Sequence, residues 1–268
     1  MGLLIHRLLT LLNNEDPKST NYYIAMILLQ NYDSVSTLSI SEIAKLCSVS
    51  KSTISKFARS IGFDDYATLK DAAPFKENRF HFDYNYLTNI ITPIEKEGID
   101  PYFNAIIKDI QSYQKSIDLE TIDKLAKDLI KYEKVAAFGL LFSESAAIDF
   151  QYKLAYNKKF IFTCLSDIDQ ENYIETAAED TLIVIFSNSG NYIKQYQLQE
   201  GNFQKKIFQK TKAKVVLITS NSAMQYNKDV DYCILFHHET TSQTHSFMYQ
   251  IVVDMLVLRY RHFKHLKR

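Results

Sequence analysis

The sequence predicts two domains: an all-α domain over residues 1–75 and, after a linker over 76–105, an α/β domain over 106–268 built on a doubly wound, five-stranded parallel sheet. Three observations predict it. Up to about position 75, apolar residues recur only at helical spacing, as in Leu3, Leu4, Leu8, Leu11 and Leu12, the period that lines one face of an α-helix. From about residue 134 onward, short β-rich runs alternate with longer helical patterns, as in βαβ units whose sheet is covered on both faces. Between Ser39 and Phe63, two short amphipathic segments flank a Ser-Val-Ser turn, the pattern of a helix-turn-helix.

Composition narrows the function classes. Lys plus Arg equals Asp plus Glu, 31 of each, which argues against wrapping nucleic acid by bulk charge and leaves room for a local basic face. Cys47, Cys164 and Cys233 are distant from one another and show no ligand spacing, so they read as reduced thiols of a cytoplasmic protein and not as a metal site or a disulfide framework. The apolar N-terminal run is broken by His6 and Arg7 and has no small-residue cleavage site. It reads as an amphipathic first helix. No run has the eighteen or so apolar residues that a membrane span needs.

In the first domain, Ile24, Ile27 and Leu28 mark a second helix. A third begins near Ser41, a good N-cap, and turns Ile43, Ala44 and Cys47 inward. Ser48-Val49-Ser50 makes the turn, with Ser48 where a glycine is the usual choice and Ser50 capping the next helix. That helix buries Ile54, Phe57, Ala58 and Ile61 and stops at Gly62. Its outer face carries Ser50, Lys51, Ser52, Thr53, Ser55, Lys56 and Arg59, and the stretch from Ile43 to Phe63 contains no acid. Hydroxyls and lysines at a helix tip suit base edges in a major groove, and Lys56 and Arg59 suit phosphates. The same spacing also fits a plain helical bundle with a solvated basic face.

The linker carries Pro93, Gly98 and Pro101, and a helical stretch from Ile106 to Tyr132 leads into the sheet. The predicted strands are Val135–Leu140, Phe160–Cys164, Leu182–Phe186, Val215–Thr219 and Tyr232–Phe236. For the flavodoxin-like order 2-1-3-4-5, ligands sit beyond the carboxyl ends of strands 1 and 3. Those strands empty into Leu-Leu-Phe-Ser143-Glu-Ser145 and Ser187-Asn188-Ser189-Gly190. Two neighbouring loops of hydroxyls and backbone amides, each opening a helix, make a site for a phosphate. Neither loop contains Lys or Arg, and the chain has no P-loop and no dinucleotide fingerprint, so a phosphorylated metabolite fits better than a nucleoside triphosphate, and no cofactor is expected. Serine-rich loops of this kind are also ordinary N-caps. The C-terminal helix, near Gln243 to His262, carries Phe247, Ile251, Met255 and Leu258 at helical spacing, suited to core or subunit packing. Its basic end, Arg259 to Arg268, suits the helix dipole.

Together these residues resemble the RpiR/MurR family of bacterial transcription regulators, which join a helix-turn-helix to a sugar isomerase (SIS) domain. The resemblance rests on SISEIAKLCSVSKSTISKFARSIGFDDYATLKDA in the first half. In the second it rests on Phe138, Gly139, Ser143, Ala147, Asp149, Lys153 and Leu154, and on the Ser-x-Ser-Gly loop at Ser187, Ser189 and Gly190. Two positions depart from the pattern: the second glycine of the first loop is Leu141, and the hydroxyl residue after the second loop is Tyr192. The resemblance implies a cytoplasmic homodimer that binds operator DNA through the residues of Ser50 to Arg59 named above. It also implies a sugar-phosphate effector held at Ser143, Ser187, Asn188, Ser189 and Gly190. SIS domains also occur as isomerases, for which His237, His238, Glu239 and His245 are the candidate acids and bases; a third reading is a SIS domain that serves only dimerisation. Fusion to a DNA-binding half favours sensing over turnover.

Overall fold

In the computed structural model, residues 2–73, 86–196, 203–240 and 245–266 are described. The predicted linker's first part, the beginning of the C-terminal helix at Gln243, and Lys267 and Arg268 lie outside the described residues. The chain forms two compact units, one holding the helices up to Asp71 and the other those from Leu87 onward.

The first unit contains helices α1 (Leu3–Asn14), α2 (Thr20–Gln30), α3 (Tyr32–Val35), α4 (Ile40–Leu46), α5 (Lys51–Ser60) and α6 (Tyr66–Asp71). Leu4, Leu8, Ile24, Leu28, Ile43, Ile54, Phe57 and Leu69 are almost wholly buried and make its core. His6 and Arg7, which break the first apolar run, are buried too. Arg7 donates to the carbonyl of Gly62 at 2.6 Å and stacks on Phe63, so the break is structural. The cap of α4 is Ser39, not Ser41. Ser39 Oγ accepts from the Glu42 amide while Glu42 accepts from the Ser39 amide, a reciprocal capping box that Ser41 could not form because no Glu or Gln stands three residues beyond it.

Both helices of the turn end alike. Val49 donates to Ala44 O and Ser48 to Lys45 O; Phe63 donates to Ala58 O and Gly62 to Arg59 O. These are Schellman closures, which need a left-handed residue at the helix end. Ser48 fills that position at φ 54° and Gly62 at φ 82°. Ser50 caps α5 by accepting from the Thr53 amide at 3.1 Å, as the sequence suggests.

The second unit opens with a π-helical turn, Leu87–Ile91, and α7 (Thr92–Glu97). The single helical stretch expected up to Tyr132 is two helices, α8 (Ile99–Ser116) and α9 (Leu119–Lys131). Asp118 separates them by capping α9 through the Glu120 and Thr121 amides. Helix α8 runs without interruption through residues 105 and 106.

Four parallel strands follow, β1 (Lys134–Gly139), β2 (Thr181–Phe186), β3 (Lys214–Thr219) and β4 (Tyr232–Leu235), in the order β1-β2-β3-β4. The fifth expected strand, Phe160–Cys164, is reduced to a bridge. Only Phe162 exchanges both backbone bonds with β1, donating to Val135 O and accepting from Ala137 N, each at 2.9 Å. With that bridge on the outer side of β1, the order is the doubly wound one predicted. An edge segment paired on one side only gains little from further ladder bonds. Here it is bounded by Lys158, at φ 57°, and by helix α11 (Asp167–Thr176).

One face of the sheet, with Val135, Leu182, Val184, Phe186, Val216 and Ile218, packs on α9, on α10 (Glu144–Ala155) and on α14 (His245–Leu266). The short helices α12 (Asn191–Lys194) and α13 (Ile207–Lys210) bury Ile193 and Phe208. Strand β2 is buried at every position, as a central strand covered on both faces must be. Helix α14 turns Met248, Tyr249, Val252, Val253, Leu256 and Tyr260 inward. The stripe read from sequence is therefore its flank: Ile251 and Met255 are half-buried against the core and Phe247 and Leu258 are exposed.

Candidate functional site

Helix α5 presents the face expected of it. Lys51, Ser52, Lys56 and Arg59 are exposed, Thr53 and Ser55 half-buried, and the apolar stripe opposite is buried. The hydroxyls are not equivalent. Ser50 Oγ is engaged as the N-cap and lies 2.9 Å from Thr53 Oγ1, which leaves Ser52, Ser55 and Lys51 better placed for base edges and Lys56 and Arg59 for phosphates. Gly62 ends the helix one turn beyond Arg59.

In the second unit, Gly139 and Phe186 are register partners, so the two serine loops leave neighbouring strands at the same level. In the first loop the chain doubles back so closely that a Cβ on Gly139 would lie 2.6 Å from the Ser143 carbonyl oxygen. Leu141 takes φ 58°, a left-handed conformation that a branched side chain adopts only under strain. This is the position where the RpiR pattern has glycine. Ser143 is buried, and its Oγ stands 3.4 Å from the Tyr249 hydroxyl. Glu144, in the first turn of α10, is pushed by burial up to about 7, against the pull of the helix N-terminus.

The second loop is tied on every side. Ser187 Oγ accepts from the Tyr192 amide at 3.3 Å and Ser189 Oγ from the Asn191 amide at 3.2 Å. The Asn188 carbonyl accepts from Thr219 Oγ1, Ser220 N and Ser220 Oγ, and Asn221 Nδ2 donates to the Ser189 carbonyl. Gly190 turns the chain at φ 75°. The helix it opens is the single turn α12, shorter than the sequence suggests. Tyr192 does not supply a substitute hydroxyl to the cradle. Its phenol donates to Gln170 Oε1 at 2.7 Å, while Gln170 Nε2 donates to Gly139 O and Cys164 O.

Two residues of this region escaped the sequence reading. Asp109, in α8, is fully buried and accepts from the Glu239 amide at 2.8 Å, the Thr240 amide at 3.1 Å and Thr240 Oγ1 at 3.2 Å. Its Oδ2 also lies 3.1 Å from His238 Nδ1, and His238 Nε2 lies 3.3 Å from Asn188 Oδ1. Burial holds the His238 imidazole below its ordinary range, and the hydrogen bond and charge of Asp109 pull the other way. A neutral imidazole donates to Asp109 and accepts at Nε2, which suits the amide nitrogen of Asn188; a charged one donates from both nitrogens and suits its oxygen. The Asn188 side chain thus reads the charge of His238. Its Nδ2 is buried without a partner among the described residues. The second unforeseen residue is Lys205, buried, 3.1 Å from Glu171 and 4.1 Å from the Tyr192 ring centroid. Asp109 did leave a trace in the sequence: it shares the inner stripe of α8 with Ile106 and Tyr113. Lys205 left none.

The isomerase candidates do not assemble. Glu239 is exposed and bonds Ser112 Oγ and Lys108 of α8, His237 is exposed, and the His245 side chain lies outside the described residues. Cys47 and Cys233 are buried free thiols, and Cys164 is half-buried and pushed by burial up to about 12. Among the described residues no cluster of His, Cys, Asp and Glu could hold a metal, and no helix is long and apolar enough to cross a membrane.

A helix-turn-helix unit followed by a doubly wound α/β unit defines the class: a helix-turn-helix protein with an appended ligand-binding type of fold. Residues 7–73 match the helix-turn-helix domain of the rpiR family, and the chain belongs to that family of helix-turn-helix regulators. It is similar to an uncharacterised HTH-type transcriptional regulator from the aarA 3' region of Providencia stuartii, 25% identical over 71% of this chain and 67% of that protein. It is also similar to the HTH-type transcriptional regulator HexR of Pseudomonas aeruginosa, 27% identical over 62% of this chain and 58% of that protein. Among solved structures it is similar to the Vibrio vulnificus NanR protein complexed with ManNAc-6P, with a TM-score of 0.48 and 15% identity over 96% of this chain and 90% of that one.

Proposed function

We propose that this protein is a cytoplasmic transcriptional regulator that works as a homodimer. Residues 1–75 read operator DNA, and the α/β domain from about residue 106 senses a phosphorylated sugar. Helix α5 enters the major groove with Ser50, Lys51, Ser52, Thr53, Ser55, Lys56 and Arg59. The sugar phosphate is held by Ser143, Ser187, Asn188, Ser189 and Gly190. By binding one arrangement of the dimer better than the other, it shifts the DNA-binding equilibrium. No catalytic residue is assigned. The observation that carries the reading is the acid-free outer face of α5, whose exposed Lys51, Lys56 and Arg59 stand on an rpiR-family helix-turn-helix.

The test is selection of duplexes from a random-sequence DNA pool, followed by salt titration of binding to the selected site. Lys56→Ala with Arg59→Ala weakens binding and lowers the slope of log affinity against log salt by about 1.8, at about 0.9 per lost phosphate contact. An unchanged slope refutes the assignment of α5. Ser187→Ala with Ser189→Ala leaves DNA binding intact and abolishes the effect of any sugar phosphate that raises the melting temperature of the parent protein.

A further inference from the structure

Helix α8 has two faces. Ile106, Asp109 and Tyr113 are buried. Ile99, Phe103 and Ile107 are 57%, 54% and 50% exposed, so the largest apolar side chains of the other side stand in water. At intervals of four residues these three form a single stripe along the helix. The stripe reads the same in both directions about Phe103. Beside it lie Asp100 and Lys108, equidistant from Asn104 and opposite in charge.

We propose that this stripe is the seam on which a second copy of the chain docks, with the two α8 helices antiparallel about a two-fold axis at Phe103. The proposal rests on the homodimer reading above and names the surface that makes it. A two-fold contact is isologous, so the patch must complement itself. Run antiparallel, Phe103 meets the Phe103 of the second copy, Ile99 meets Ile107, and Asp100 faces Lys108, twice over. A parallel arrangement sets like charges side by side. Lys108 already has a partner in Glu239, at 3.7 Å, but both groups are largely exposed, and such pairs contribute little and exchange readily. The flank of α14 offers no comparable surface, because its central residues Ile251 and Met255 pack against the protein's own core.

The experiment is sedimentation of the full chain over a concentration series, with Phe103→Glu, Asp100→Lys, Lys108→Asp and the double charge swap. The parent protein is expected to be a dimer. Phe103→Glu, which changes both copies at the centre of the seam, weakens association by about 30-fold or more. Each single charge change weakens it several-fold, and the double swap restores it. Phe103→Cys, placed on the axis, forms an intermolecular disulfide under mild oxidation that the parent does not form. A parent dimer whose association is untouched by Phe103→Glu and whose Phe103→Cys form does not cross-link overturns the seam and leaves the homodimer standing. A parent that stays monomeric overturns both. If Phe103→Glu proves misfolded, the charge swap and the cross-link decide.

Discussion

The helix-turn-helix and the serine cradle are both built around tight turns, and they are secured by opposite means. Each device of the turn between α4 and α5 spans six residues or fewer: the Ser39–Glu42 box, the Ser50 cap, and the paired closures at Ser48 and Gly62. The cradle is held from far along the chain. Asp109 reaches His238 and the amides of Glu239 and Thr240, 129 to 131 residues away, and His238 reaches Asn188 across 50. Local devices reset independently when one is changed. A long-range network of buried polar groups does not, because each member leaves others unpaired when it is lost. Mutations should therefore be cheap in the head and expensive behind the cradle.

The largest expected effect follows from that difference. Asp109→Ala removes a buried carboxylate that accepts from two backbone amides, a hydroxyl and an imidazole. Stranding those groups destabilises the α/β unit by about 3–5 kcal/mol. Denaturant titration measures it. A loss under about 1 kcal/mol breaks the comparison, since the cradle would then be no more interdependent than the head.

Next in size is Glu144. Its folded-state pKa, about 7, lies above the ordinary value of 4.5. A raised carboxyl pKa stabilises the fold below the unfolded-state value and loses that contribution as pH rises through the folded one. Glu144→Gln therefore stabilises the protein at pH 8, by on the order of 1–3 kcal/mol, and leaves it nearly unchanged at pH 4. His238 acts in the opposite sense. Its folded-state pKa is depressed below 6.5, so it favours the fold above that pH and loses the contribution as pH falls through the folded value. His238→Gln should remove that acid-side loss, seen as a flatter profile of melting temperature against pH below about 6.5. An acid limb that remains in the His238→Gln protein would assign it to other groups.

The same contrast explains what could be read from the sequence. Ser50, Gly62, the inner faces of α4 and α5, and the strand order were legible because each follows from a period or a cap within one turn or one strand. The N-cap of α4 was misread by two residues because two serines compete there, and only the Glu42 side chain decides between them. The fifth strand was misread because Phe160–Cys164 has the composition of a strand, whereas the number of ladder bonds it makes depends on an edge that composition does not show. The two loops were legible as a pair. What binds them from behind was not: the tie from Asp109 through His238 to Asn188 joins three segments that only the finished fold brings together, and the diversion of the Tyr192 phenol to Gln170 is equally non-local.

The smallest effect tests the comparison most sharply. Ser48 and Leu141 both hold left-handed backbone, at φ 54° and φ 58°, where glycine is free of strain. Ser48 is exposed and its turn is closed by its neighbours, so little besides its own conformation is at stake. Ser48→Gly should relieve that strain at the expense of some unfolded-state entropy, for a net gain of about 0.5–1 kcal/mol and a small rise in melting temperature. Leu141 is half-buried beside Ser143, in the loop that the close approach at Gly139 makes tight. There glycine relieves similar strain and also deletes apolar burial worth about 1 kcal/mol or more, so Leu141→Gly should show no gain. If instead both substitutions stabilise the protein equally, strain is as local at the cradle as in the head, and the long-range ties around the second loop do not extend to the first.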